Sequence, residues 1–173
     1  MGKAARYEQS ETMQVLELNV ADLRFDPRNA KKHGEESIQH IAKSLKEFGQ
    51  QKPVIVSPSM VVMAGNGTLA AAKALEWTTI KGVVTELTGK QLKAYALADN
   101  KTAEYAGWDF SVLRDVIEEL DDGEYDLTST GFDQGELERI MGWVASEPLD
   151  EIEEDPQKRN SIICPNCKHE FEP

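Results

Sequence analysis

Residues 60–75, Met60-Val61-Val62-Met63-Ala64-Gly65-Asn66-Gly67-Thr68-Leu69-Ala70-Ala71-Ala72-Lys73-Ala74-Leu75, decide the fold. The continuous apolar run at 60–63 predicts a strand buried on both faces. The alanine-rich run at 69–75 predicts a helix. Between them stands Gly65-Asn66-Gly67-Thr68. Two glycines let backbone approach a ligand closely, and a helix start presents unpaired N–H groups with a partial positive charge. That combination makes a phosphate cradle, in which Asn66 or Thr68 can cap the helix while touching the anion. The same four residues also suit a tight strand–helix turn that needs positive φ and no ligand. The local sequence leaves both readings open.

Upstream, residues 54–56 form a second buried strand, joined to the first through Ser57-Pro58-Ser59. Ile38, Ile41, Ala42, Leu45 and Phe48 recur at three and four, predicting an amphipathic helix over 35–48 that leaves at Gly49. Residues 13–19 read as a strand and 25–29 as a turn built on Pro27. Downstream, 81–87 reads as a strand. Thr88 and Gln91 have capping-box spacing before a helix through Leu92, Tyr95, Leu97 and Ala98. The order β-α-β-β-α-β-α describes a small α/β (α+β) domain over residues 13–108, after an N-terminal tail of residues 1–12.

The 173 residues carry a net charge of −12, unevenly spread. Residues 1–108 hold 14 Lys/Arg against 12 Asp/Glu, residues 109–155 hold 2 against 17, and residues 156–173 hold 3 against 2. The break at Asp109 separates two modules, and the acidic one should repel nucleic-acid backbones. Residues 109–145 read as helical. Asp109 caps a stripe of Leu113, Val116, Ile117 and Leu120, and Asp133 with Glu136 makes a capping box. Phe132 staples onto Leu137, and both stripes are expected to dock on the α/β domain. Residues 146–163 read as an acidic linker. The tail, residues 164–173, offers Cys164, Cys167 and His169. It resembles one knuckle of a zinc ribbon, completed by a dimer or a partner, or else is a tail with two reduced thiols. No apolar run is long enough for a membrane span and the N-terminus has no signal-peptide pattern, so a cytoplasmic protein is expected.

Two further clusters carry chemistry. Asp99-Asn100 presents hard oxygen atoms suited to Mg²⁺ beside a phosphate, or is a solvated helix end. Arg28, Lys31, Lys32 and His33 follow the Pro27 turn and precede a helix, where an anion is welcome, or form an ordinary basic loop.

Several ordered pieces carry a resemblance. These are Asp26-Pro27-Arg28-Asn29, residues 44–56 (SLKEFGQQKPVIV), residues 62–73 (VMAGNGTLAAAK) and residues 96–100 (ALADN). Residues 16–108 resemble the ParB N-terminal domain, whose mixed-sheet fold is shared with sulfiredoxin and a free-serine kinase. Residues 98–101 (ADNK), Trp108-Asp109 and residues 130–133 (TGFD) resemble its phage and mobile-element branch, often fused or adjacent to DNA methyltransferases. The resemblance implies a site for CTP with Mg²⁺, held in that family by a Gly-Glu-Arg-Arg box and a later Glu-Asn pair. By position, Gly65, Asn66, Gly67 and Thr68 take the box and Asp99 and Asn100 take the metal pair, with Arg28 and Gln51 lining the same cleft. This box lacks the Glu, both Arg and the cysteine that sulfiredoxin uses. The family's basic helix-turn-helix is expected to have no counterpart, because the corresponding residues are acidic.

The expectation is therefore a nucleotide-binding module, for CTP or ATP with Mg²⁺, encoded by a phage. It would act in DNA modification, packaging or transcriptional control, directly or through a partner such as a methyltransferase, and could form a homodimer. One alternative is a phosphotransferase or weak NTPase with Glu35 or Glu36 as general base. Another is an acidic DNA mimic or adaptor that engages a basic partner.

Overall fold

A strand buried on both faces has to be apolar throughout, and two neighbouring strands of this protein meet that condition. The computed structural model describes residues 13–142, 162–163 and 170–171. In it β3 (Val54–Val56) lies between β4 (Val61–Ala64), its antiparallel neighbour, and β5 (Thr79–Val84), its parallel one. Val54 and Val56 are completely enclosed. β1 (Leu16–Asn19) pairs antiparallel with β5, and β2 (Arg24–Phe25) pairs parallel with β4, giving the order β1-β5-β3-β4-β2. Helix α1 (Glu35–Phe48) packs on α2 (Asn66–Ala74), and α3 (Gly89–Thr102) reaches β4. Leu18, Val20, Leu23, Val56, Val62, Leu69, Ala72 and Ile80 complete the core around Val54. The mixed-sheet α/β class read from the residues is the one observed.

Three local readings change. Phe25, expected in a turn, belongs with Arg24 to β2. Two residues carry no alternation signal, and only pairing with β4 makes them a strand. β5 starts at Thr79 and ends at Val84, because Thr79 and Ile80 pair with Asn19 and Leu18 of β1. Thr88 is the N-cap of α3, but its side chain makes no capping bond. Gly89 directly after it has φ +55, outside helical geometry, whereas a capping box needs a regular turn between its members.

The acidic residues fold as read and dock differently. α4 (Phe110–Leu120) is capped by Asp109, whose carboxylate accepts from the Ser111 and Val112 N–H groups at 3.1 and 3.2 Å. α5 (Gln134–Met141) has the full capping box of Asp133 and Glu136. The apolar stripes close on each other rather than on the sheet. Leu113, Ile117, Leu137 and Ile140 form a separate core, joined by Leu127 and Phe132. The 3-10 turn Leu127–Thr130 between the helices meets α1 instead, through polar groups. Lys43 donates to Thr128 Oγ1 at 2.7 Å and lies 3.9 Å from Asp126.

The chain divides into two compact units, Met1–Gly142 and Trp143–Pro173. In the second, β6 (Ile162–Ile163) pairs antiparallel with β7 (Glu170–Phe171), so the last two residues assigned to the linker are a strand. Cys164, Cys167 and His169 lie outside the described residues. Among the described residues no helix is long and apolar enough to cross a membrane.

Candidate functional site

β4 ends at Ala64, and Gly65 turns the chain into α2 with φ +92 and ψ 26. A Cβ on Gly65 would sit 2.7 Å from Val54 Cγ1, so backbone and neighbouring strand both require glycine. At Gly67 a Cβ would lie 2.7 Å from Ile41 Cδ1 and 2.9 Å from His33 Cε1. The missing side chain there lets α1 and the loop before it press against the first turn of α2. The first helical bond of α2 runs from the Leu69 N–H to the Gly65 carbonyl at 3.0 Å. The N–H groups of Asn66, Gly67 and Thr68 therefore lack intrahelical partners, and no side chain caps them. α1 and α3 also start without a side-chain cap, but their first residues are exposed to water; Asn66 and Gly67 are buried.

These N–H groups open on a cavity of about 130 Å³. Ile41, Met63 and Ala64 form its apolar side, and Asn29, His33, Thr68 and Asn100 its polar side. Asn66 lines it too, yet its side chain is committed to the fold. Its Oδ1 accepts from the Asp26 N–H at 3.2 Å and its Nδ2 donates to the Val62 carbonyl at 3.0 Å. The amide thus pins the Pro27 loop to β4 and leaves only its backbone for a ligand, which replaces the capping role expected for Asn66. Asn29 is likewise spent on the Lys31 N–H and carbonyl. Asn100 donates one N–H to the Ala96 carbonyl at 2.9 Å, which leaves its second N–H and its carbonyl oxygen without a partner among the described residues. The neutral donor set suits an anion, and a cation there would need a carboxylate or the ligand's own oxygens.

The structure brings the predicted glycine turn and Asn100 together across 35 residues and places the other candidates elsewhere. Asp99 lies beside the Tyr95 hydroxyl one turn back, outside the cavity lining. Burial, followed by the charge and hydrogen bond of Asp99, raises the Tyr95 pKa above its usual value. Gln51 folds back on the Phe48 carbonyl beyond the C-terminal end of α1, whereas His33 precedes its N-terminal end. Arg28, Glu35 and Glu36 are exposed and absent from the lining. The basic cluster separates: Lys31 lies 3.5 Å from Glu104, which also takes a 2.9 Å bond from Lys101. That bond and the two lysine charges hold the Glu104 carboxyl below its usual range. His33 alone of the four reaches the cavity. The Pro27 turn marks His33 as an anion candidate, but that it and Ile41 meet Gly67 follows only from the packing of α1 on α2.

A wider groove of about 410 Å³ runs along the outer strands, between Leu16 of β1, Trp77 and Ile80 of β5. Besides Lys81, its polar groups are Glu17 and Thr79, bonded to each other at 2.7 Å, and the buried Gln50 amide, already bonded to the Lys81 N–H at 2.6 Å, the Lys81 carbonyl at 2.7 Å and the Lys52 carbonyl at 3.0 Å. Gln50 ties α1 to β5 and offers no convergent donors to a ligand. The smaller cavity is the better candidate.

Comparison with known proteins gives the same outline. Residues 4–101 match the model of the ParB N-terminal domain. Residues 111–164 match the ParB-methyltransferase HTH domain, which corrects the expectation that the acidic residues have no helix-turn-helix counterpart. Acidity excludes a basic surface, not a helical pattern. A probable chromosome-partitioning protein ParB of Helicobacter pylori is 30% identical over 90 residues, 50% of this chain and 31% of that protein. The ParB-like nuclease domain-containing protein YnaK of Escherichia coli is 28% identical over 83 residues, 47% of this chain and 95% of that protein. The chain thus spans less than half the length of the ParB and Spo0J relatives it matches, from 31% to 46%. A C-terminally truncated chromosome-partitioning ParB from Caulobacter crescentus, solved with CTP-γ-S, shares the fold. Its TM-score is 0.62 at 18% identity, covering 74% of this chain and 77% of that one.

Proposed function

The chain belongs to the ParB N-terminal domain family, and on that premise we propose that it is a nucleotide-binding module acting in DNA transactions. The nucleoside triphosphate, CTP or ATP, places its phosphates on the Gly65–Thr68 turn. The observation that carries this reading is the uncapped, buried start of α2 facing a cavity with open polar groups. An anion there completes hydrogen bonds that the fold leaves unmade. The Caulobacter relative solved with CTP-γ-S supports the ligand class. Thr68 and Asn100 hold phosphate oxygens. Asp99, beside Tyr95 here, would supply a carboxylate oxygen to a Mg²⁺ ion brought by the nucleotide, whose charge would offset that of the phosphates. The matched helix-turn-helix residues connect the nucleotide state to DNA, directly or through a methyltransferase. The motif pattern supports a phage or mobile-element setting, in modification, packaging or transcriptional control. In the tail, Cys164, Cys167 and His169 are proposed to hold zinc with ligands from a second copy or a partner.

Calorimetric titration with CTP and ATP, with and without Mg²⁺, tests the site. Binding should strengthen with Mg²⁺, and Asp99→Ala should lose that gain alone. Asn100→Ala should weaken binding about tenfold, the scale of one hydrogen bond. No heat with either nucleotide at millimolar concentration would overturn the reading.

One observation favours a second reading. Of the two arginines in the helical segment, Arg114 is held by Asp115 and Glu118 of its own helix, both at 3.4 Å. A surface this acidic fits an adaptor for a basic partner better than a duplex-binding face. Binding of a basic partner that persists in Asn100→Ala would support it.

A further inference from the structure

We propose that His33 is a phosphate-binding residue of this cavity, and that the cavity recognises the phosphate end of its ligand rather than a base. The inference rests on the nucleotide reading above.

Three observations lead to it. First, His33 sits against the first turn of α2, its Cε1 2.9 Å from where a Gly67 Cβ would be, and lines the same cavity as the open N–H groups. Second, the ring has one nitrogen to spare. Nδ1 lies 3.4 Å from Ser37 Oγ, a hydroxyl that can donate to it. When Nδ1 accepts from that hydroxyl, or when the ring is charged, Nε2 carries a proton, and among the described residues Nε2 has no hydrogen-bond partner. Third, among the described residues His33 is the only ionisable side chain in the lining, since Lys31 is drawn to Glu104 and Arg28 and Lys32 stay outside. A phosphate oxygen between Nε2 and the Gly67 and Thr68 N–H groups would satisfy donors from two elements at once.

Size sets the ligand class. Sites that enclose a whole drug-sized ligand occupy about 300–1,000 Å³, and this cavity is about 130 Å³. It admits a phosphoryl group and leaves the sugar and base outside. The His33 ring, the Thr68 hydroxyl and the second Asn100 N–H can all donate to phosphate oxygens.

The test uses the full chain with tripolyphosphate, CTP and cytidine in calorimetry, beside nitrogen-correlated NMR of the imidazole rings. Only three histidines are present, so His33→Gln identifies the His33 signal by its loss. Tripolyphosphate should bind within about threefold of CTP, and cytidine should not bind. The His33 ring signal should move on titration with tripolyphosphate. His33→Ala should weaken both phosphate ligands about tenfold, or about 1.4 kcal/mol, and His33→Gln, which keeps an N–H donor, should recover part of the loss. If CTP binds while tripolyphosphate does not, or if the His33 signal stays fixed while phosphate binds, the inference is overturned and the nucleotide reading stands. If none of the three binds, both fall.

Discussion

Residues 13–108 and 109–142 treat their helix N-termini in opposite ways. In the helical segment the ends are closed by the chain's own anions: Asp109 caps α4, Asp126 caps the 3-10 turn and Asp133 caps α5. In the α/β part, α2 starts after a left-handed glycine with no cap at all. A helix N-terminus favours negative charge whatever its source. Where a carboxylate is built in, the position is structural and no foreign anion is needed. Where it is missing and water is partly shut out, the N–H groups keep no side-chain partner. The same aspartates that finish the helical segment make it acidic, so its stability and its poor match to DNA phosphates have one cause.

The cores differ as well, and the largest expected effect tests that. Leu69 is fully enclosed among nine buried residues beneath the sheet, and Ile117 lies in a cluster of four. Leu69→Ala should cost about 2–5 kcal/mol in urea-induced unfolding, with Ile117→Ala toward the low end. Equal costs would break the distinction between a main core and a satellite one.

Next comes charge. Replacing Asp115, Glu119, Asp121 and Asp122 with Lys should raise non-specific duplex affinity roughly tenfold at low salt, and the gain should vanish as salt releases fewer counterions. Filter binding across a salt series measures it. No gain would mean that acidity is not what limits DNA contact by this segment.

Smaller still is the cap. Asp133→Ala should destabilise by about 0.5–2 kcal/mol, lowering the thermal midpoint and increasing amide exchange in α5 without reducing nucleotide binding. Loss of nucleotide binding in this variant would show that the two regions do not act separately.

The smallest effect is in pH. Hydrogen bonds from the Thr128 hydroxyl and N–H, and then the Lys43 charge, lower the pKa of Asp126. A carboxyl with a depressed folded pKa contributes stability above its unfolded pKa, about 3.9, and loses it as pH falls through the folded value. The wild-type midpoint should therefore drop below pH 4 slightly more steeply than that of Asp126→Asn. Identical slopes would show that this polar link between the turn and α1 adds nothing.

Much of this protein was legible one segment at a time. The α1 stripe with its Gly49 exit, the strands around Ser57-Pro58-Ser59, the Gly65–Thr68 turn and the Asp109 and Asp133 caps all depend on residues within one or two turns of each other. Such patterns survive without knowledge of the rest of the chain. The helix-turn-helix was misjudged because charge was taken to decide a question that belongs to helix pattern.

What the residues alone determined is most of the elements, the α/β class and the position of the glycine turn. Only the tertiary structure decided which side chains surround that turn. It committed the Asn66 amide to Asp26 and Val62, turned Asp99 to Tyr95, left Gln51 at the far end of α1 and put His33 against Gly67. It also made Arg24–Phe25 a strand and closed α4 and α5 on each other. The physical reason is range. Helix periodicity, caps and turn chemistry act between near neighbours, whereas a cavity is bounded by residues that meet only when separate elements pack.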